Sequence, residues 1–344
     1  MLNVSIVGGS GFGGGELLRI LLNHPNITIK QITSQRFNRF PVTLAHPNLR
    51  GATQLKFSSV EDLEECDILF LALPNGVSQK NIEVYKKIAP KIIDLGADFR
   101  LKDEESYTTW YGTHSAPELL SEFTYGIAEL HREELRTSNY VACGGCEATC
   151  SILTLYPLVK SDIVKKDSVV IDAKIGSSAA GNKSSSASHH PIRSGCLRSY
   201  KPTMHRHTAE IEQELGTELG NVHVTATAVE LVRGILVTVQ VFFEEDISEV
   251  DLWKLYHSAY QEEPFIRLIT DKMGNYRFPE PKLLAGTNYC DIGIEKDQRS
   301  NRAVIVGAID NLTKGTAGQA VQAMNIMHEW DERLGLEFNG LHPV

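Results

Sequence analysis

Residues 4–21 read VSIVGGSGFGGGELLRIL, an apolar β-branched run interrupted by six glycines in eight positions and resumed at helical spacing. Such a stretch is a strand–turn–helix unit, and it directs the following chain toward alternating strands and helices. Glycines allow the backbone to approach a bound group closely, and the free N–H groups and dipole of a helix start suit a pyrophosphate. Gly8, Gly11 and Gly14 stand in the spacing G-x-x-G-x-x-G, so the turn is expected to bind a dinucleotide, with a helix through Glu16–Asn23.

Strand-like runs recur at 27–33 (ITIKQIT), 67–74 (DILFLALP) and 91–96 (KIIDLG). Right-handed crossovers between them would build a parallel sheet with helices on both faces, an α/β Rossmann-type domain. At the end of the second strand, where a carboxylate would hold an adenosine ribose hydroxyl, the chain reads Thr33-Ser34-Gln35-Arg36. Arg36 with the two hydroxyls suits a 2′-phosphate, so NADP(H) is the expected cofactor.

A chain of 344 residues exceeds one ordinary core and points to two domains. After about residue 150 the strands lengthen: 168–176, 222–231, 234–243 and 302–310 are β-branched, and Val237, Val239 and Val241 alternate with Thr238 and Gln240. An α+β domain with a mixed sheet is expected there, followed by an amphipathic helix at 318–330. The Ser-rich stretch 177–188 has no core-forming residues and is expected to be a loop.

A net charge of −9 argues against nonspecific nucleic-acid or anionic-membrane binding. No apolar run approaches the roughly 20 residues that span a bilayer, and the N-terminal residues lack the pattern of a signal peptide. Cytoplasmic location and free thiols for the six cysteines are the expectations.

Three of those cysteines crowd into VACGGCEATC (141–150). Cys146 follows two glycines and opens an apolar helical run, where the dipole and free N–H groups stabilise a thiolate and an adjacent oxyanion. It is the candidate nucleophile. Glu147 would oppose the thiolate if its carboxylate faced the sulfur. Cys143 and Cys146 with Cys150 also admit a metal cluster or a redox pair, although no fourth cysteine lies close in sequence; Cys150, inside the helix, reads as packing. No resident metal is expected.

His205 and His207 open a second helix, with Glu210 one turn on. Imidazole titrates in the range a cysteine enzyme needs for its proton transfers. Glu210 could fix the working imidazole or bind a substrate ammonium. Between loop and helix, SSSASHHPIRSGCLRSYKP gathers His189, His190, Arg193, Arg198 and Lys201, a local basic region suited to a phosphate, a carboxylate or an acidic partner surface. An NADP-binding redox sensor without turnover would also explain the glycine turn and paired thiols, but leaves the histidine pair idle.

VGGSGFGGGELLRIL, TSQRFNRFPV, FLALPNG, IIDLGADFRL, YGIAEL, GGCEAT, HRHTAEIEQ, VRGILVTV and DNLTKGTAGQAVQAMN, in this order, resemble the N-acetyl-glutamyl-phosphate reductase family and its aspartate-semialdehyde dehydrogenase relatives. The resemblance implies an acyl-phosphate reductase with Cys146 as nucleophile and His207 as acid/base beside His205. It adds Ser10, Phe12, Gly13, Pro74, Gly176, Ser177 and Asn311 to the cofactor site, with Lys314 and Gly315 nearby. It adds Arg100 and Ser178 to the substrate site. It implies a dinucleotide-binding domain of residues 1–145 completed by 312–344, a catalytic and dimerisation domain of 146–311, and a homo-oligomer.

The family pattern Asn-Pro-Gly-Cys-Tyr-Pro-Thr is replaced here by Cys143-Gly144-Gly145-Cys146-Glu147-Ala148-Thr149. With the altered basic stretch, this resembles the lysine-biosynthetic branch, whose substrate rides on a small acidic amino-group carrier protein and which releases inorganic phosphate. His189, Arg193, Arg198 and Lys201 would then receive the carrier's extended end and its aminoadipyl or glutamyl phosphate. The alternative is the ordinary arginine-pathway enzyme acting on a free N-acetyl substrate.

Overall fold

The computed structural model describes residues 1–216 and 219–343. They form two compact units: Met1–Gly144 with Thr316–Glu337, and Gly145–Gly315 with Phe338 onward. Residues 312–315 and 338–343, expected with the first unit, lie with the second. The Asp310 carboxylate holds the N–H groups of Leu312 and Thr313, at 2.7 and 3.1 Å, and the His342 ring stands 5.7 Å from that of Tyr276.

The first unit contains strands β1 (Leu2–Val7), β2 (Ile27–Ile32), β3 (Ile68–Leu71), β4 (Lys91–Asp94), β5 (Phe123–Tyr125) and β6 (Tyr140–Ala142). They make one parallel sheet in the order β2-β1-β3-β4-β6-β5. Every residue of β3 (ILFL) is buried, as a parallel strand covered on both faces requires. Helices α1 (Phe12–Leu21), α2 (Ser78–Ile88), α3 (Glu104–Tyr111) and α4 (Ala128–Thr137) belong to this unit. Helix α1 begins at Phe12, four residues before the expected start, and ends at Leu21. The glycines that depress helix propensity are retained because their lack of side chains permits close packing: a Cβ on Gly14 would lie 2.8 Å from Gly9 Cα.

The second unit carries α5 (Cys146–Lys160), β7 (Val170–Ile175), a short helix α6 (His190–Arg193), β8 (Leu197–Lys201), α7 (His207–Leu215), β9 (His223–Val229), β10 (Ile235–Phe242), α8 (Glu249–Tyr260), β11 (Ile266–Leu268), β12 (Cys290–Lys296) and β13 (Arg302–Ile309). Its mixed sheet runs β11-β12-β13-β10-β7-β9-β8. In β10 Val237, Val239 and Val241 are buried while Leu236, Thr238 and Gln240 are half-exposed, the alternation expected of a strand with one covered face. The 177–188 loop contains two single 3-10 turns, Ser177–Ala180 and Ser186–Ser188.

Helix α5 packs on β10 and β13 and presents its N-terminus to the site. Pro157 lies inside it and supplies no N–H for the Leu153 carbonyl. The Tyr260 hydroxyl donates to that carbonyl at 2.6 Å, and the Tyr256 hydroxyl donates to the next, Thr154, at 2.6 Å. The helix therefore continues through a residue that ordinarily breaks one. In the first unit, α9 (Gly318–Met327), preceded by a π-turn at Thr313–Ala317, packs against α1 and α4. No helix among the described residues is long and apolar enough to cross a membrane.

Candidate active site

In the first unit the glycine-rich turn is held from beneath. Gly8 adopts φ +84°, and a Cβ there would meet the Ala72 carbonyl at 2.4 Å, so only glycine fits. The Gly8 N–H donates to Thr33 Oγ1 at 3.3 Å, the Gly9 N–H donates to the Thr33 carbonyl at 2.9 Å, and Ser34 Oγ donates to Ser10 Oγ at 2.9 Å. Thr33 and Ser34 are buried and brace the turn, while Arg36 is exposed with its guanidinium 5.0 Å from the Phe37 ring. Gly11 caps α1 and Phe12 is exposed at its first position; Gly13 follows, where a Cβ would lie 3.3 Å from Thr316. Pro74 is exposed at the turn after β3. A helix start behind a turn in which Gly8, Gly9 and Gly14 have no room for a Cβ fits a pyrophosphate.

His46 was not singled out in the sequence. Its Nε2 stands 2.8 Å from the Gly9 carbonyl, and a Cβ on Gly15 would collide with its ring at 2.4 Å. Gly15 thus makes room for a supporting imidazole. Nothing in the local pattern joins residues 37 positions apart.

The chain approaching the nucleophile is fixed within the first unit. Arg100 is buried and donates from Nε to the Cys143 carbonyl at 2.8 Å and from a terminal nitrogen to Leu95 at 3.2 Å. Gln319 of α9 accepts from the Gly144 N–H at 2.9 Å. Cys143 is fully buried, and burial pushes its thiol well above the usual range. Burial, reinforced by Asp98, likewise raises Asp94 to about 7.

The cluster around Cys146 lies in the second unit. Cys146 is the first residue of α5 and is partly exposed. The first N–H groups of that helix have no intrahelical acceptor, and the ladder begins with Thr149 donating to Gly145 at 2.7 Å. The Gly145 N–H donates to Glu210 Oε2 at 2.7 Å. A Cβ at Gly145 would lie 2.6 Å from His207 Nε2, so glycine lets that imidazole reach the residue preceding the nucleophile. Behind Cys146, a Cβ on Gly315 would stand 2.6 Å from Cys146 Cβ.

Glu147 turns toward the imidazoles. Its Oε2 lies 3.2 Å from His205 Nε2 and 3.2 Å from His207 Nδ1, all three side chains being buried. Burial opposes its charge, but the contact and charge of His207, with His205 and Arg206, hold its carboxyl below the usual range. Burial lowers His205 to about 4 despite the Glu147 charge, so the ring is neutral near pH 7. The two rings stand 4.8 Å apart at 83°. Glu210 is fully buried, with Oε1 3.8 Å from His207 Nε2. Tyr200, a further residue the sequence did not mark, places its hydroxyl 3.4 Å from His205 Nε2; burial, with the charges of Glu147 and Cys146, pushes that hydroxyl above the usual range.

Other expected site residues are spread around this cluster. Gly176, Ser177 and Ser178 are pinned through backbone N–H groups to Gly234, Leu231 and Val232. Asn311 Oδ1 accepts from the Gly234 N–H at 2.7 Å, and its Nδ2 donates to Ser178 Oγ at 2.9 Å. Arg233 grips Asp310 through two nitrogens at 2.8 and 3.1 Å, which fixes the turn bearing Asn311, Lys314 and Gly315. Arg193 donates to the carbonyls of Ile175 and Val229 at 3.1 and 2.7 Å, bracing β7 and β9. His189, Arg198 and Lys201 are exposed, the last two on the sheet's edge strand β8. None of the six cysteines is in a disulfide; Cys150 is buried in α5.

Comparison with known proteins was made on sequence and on fold. Residues 3–138 match the semialdehyde dehydrogenase NAD-binding domain, and residues 146–311 match the semialdehyde dehydrogenase dimerisation domain. The chain is 50% identical over 342 residues to the LysW-L-2-aminoadipate 6-phosphate reductase of Deinococcus radiodurans, covering 99% of this chain and 98% of that one. It is 45% identical to a protein of Nitrosopumilus maritimus named putative LysW-L-2-aminoadipate/LysW-L-glutamate phosphate reductase, with 100% of both chains covered. In fold it is similar to aspartate semialdehyde dehydrogenase II of Vibrio cholerae, with TM-score 0.70 and 16% identity over 96% of this chain and 98% of that one. The aspartate semialdehyde dehydrogenase of Candida albicans, solved with NADP, gives TM-score 0.68 at 13% identity over 95% and 98%.

Proposed function

Because the chain belongs to the semialdehyde dehydrogenase family, we propose that it reduces a carrier-protein-bound aminoadipyl phosphate, and the shorter glutamyl phosphate, to the semialdehyde through a thioester on Cys146. The observation that carries this reading is the cluster itself: a partly exposed cysteine at a helix start, with His207 reaching the preceding glycine.

His207 takes the thiol proton, and the sulfur attacks the acyl carbon. N–H groups of the first turn of α5, which have no acceptor within the helix, are suited to hold the oxyanion. The P–O-linked leaving group departs as inorganic phosphate, receiving the proton from His207. NADPH, when bound, supplies hydride to the thioester carbonyl. Collapse of the reduced tetrahedral species frees the aldehyde and returns the sulfur as thiolate. Glu147 and Glu210 hold the imidazole and the Gly145 peptide in place.

Arg36, exposed beside the turn, supports NADP(H) over NAD(H), since a 2′-phosphate needs a cation there. The exposed His189, Arg198 and Lys201 support docking of an acidic carrier, in keeping with the LysW-linked substrate in the names of the relatives above. The half-exposed face of the second sheet, with Leu236, Val304 and Val306, suits a second copy of the chain.

The reaction is tested in reverse, as NADP reduction with phosphate. Carrier-linked aminoadipate semialdehyde should be oxidised, and free N-acetyl-glutamate semialdehyde should not. Equal turnover of the free compound would return the enzyme to the ordinary arginine pathway.

A further inference from the structure

Proton transfer at Cys146 requires one imidazole, yet Glu147, His205 and His207 bring three ligand-type atoms within 4.8 Å of one another. Glu147 Oε2 lies 3.2 Å from His205 Nε2 and 3.2 Å from His207 Nδ1. Atoms bound to one tetrahedral zinc ion at about 2.0–2.2 Å stand roughly 3.3–3.6 Å apart. Two edges of the triangle already have nearly that length.

The cluster is not satisfied as a hydrogen-bond network. Glu147 Oε1 and His205 Nδ1 have no hydrogen-bond partner, and His207 Nδ1 meets only Glu147 Oε2, as an ion-pair contact. The His207 and Glu147 side chains are 6% and 3% exposed. An unpaired polar atom so deeply enclosed is costly unless something else engages it. Beyond the triangle, Glu210 Oε1 stands 3.8 Å from His207 Nε2, in the place of the outer carboxylate that orients a metal-bound histidine.

We propose that Glu147, His205 and His207 form a zinc-binding site, and that the bound ion holds the enzyme inactive. Two imidazoles and one carboxylate favour zinc over magnesium or calcium, which prefer all-oxygen shells. Inhibition rests on the role assigned to His207. An imidazole bound to zinc through Nδ1 carries its proton on Nε2, the nitrogen facing Gly145, and cannot accept the thiol proton.

The test is zinc uptake by the full chain, followed with a competing chromophoric chelator and by elemental analysis after dialysis. One ion per chain is expected, with affinity weakened at least ~100-fold in both Glu147→Gln and His205→Asn and retained in Cys146→Ser. Circular dichroism confirms that each variant is folded, so that a loss of uptake reports the lost ligand. Absence of uptake at micromolar zinc would overturn the proposal. So would uptake abolished by Cys146→Ser and untouched by Glu147→Gln, since the thiolate alone would then hold the ion. Reversible loss of turnover on zinc addition, restored by chelator, is the expected functional counterpart. Zinc bound without loss of turnover would overturn the inhibitory role while leaving the proposed reduction standing.

Discussion

The Gly145 N–H donates to Glu210 Oε2 over 2.7 Å, which ties the peptide before Cys146 to the third residue beyond His207. The fully buried carboxylate thereby joins the start of α5 to the start of α7. Glu210→Ala leaves that N–H without its acceptor and is expected to cost about 1–3 kcal/mol of stability. It should lower kcat by ~10–100-fold, whereas Glu210→Gln, which keeps an acceptor oxygen, should lose less. Urea unfolding and steady-state kinetics on the two variants separate these effects.

Cys146→Ser should abolish turnover, by at least ~10³-fold, because a neutral hydroxyl is a far weaker nucleophile than a thiolate. NADPH binding, followed by fluorescence titration, should persist, since the glycine-rich turn lies in the other unit. Unchanged turnover would remove the thioester from the mechanism.

Arg36→Ala should raise KM for NADPH ~10-fold or more and leave KM for NADH nearly unchanged if its exposed guanidinium receives the 2′-phosphate as proposed. Equal effects on the two cofactors would make Arg36 an ordinary surface charge.

Asp94 offers a pH signature. Its carboxyl, raised to about 7 by burial and by Asp98, keeps in the folded chain a proton that the unfolded chain releases near pH 4. Between those values the folded state binds more protons, so its stability falls as pH rises and levels off above 7. Asp94→Asn removes the ionisation. From pH 5 to pH 8 the wild type should lose roughly 3 kcal/mol relative to that variant, at about 1.4 kcal/mol per unit. Parallel unfolding curves at the two pH values would show that the carboxyl is already charged in the fold.

The parallel and mixed sheets were legible because their strands announce themselves locally: ILFL is uniformly apolar, and β10 alternates. Cys146 stood out for the same local reason, a cysteine set between glycines and an apolar helical run, and α5 does begin at it. Less visible was the direction of Glu147. Beside a thiolate in sequence it looks like an obstacle; in space it faces two imidazoles nearly 60 positions away. The support of Gly9 by His46 and of the 310–315 turn by Arg233 joins residues with no periodic relation. The early start of α1 was hidden because propensity weighs glycine against a helix, whereas close packing against Gly9 decides for it.

The absence of a side chain at Gly315 has a bearing on how this enzyme could be diversified. With a virtual Cβ only 2.6 Å from that of Cys146, even alanine there would push directly on the reacting residue. A library randomised at 315 should return glycine from any selection for activity. Substrate scope would then have to be altered at other positions, leaving the glycine beside Cys146 as it is.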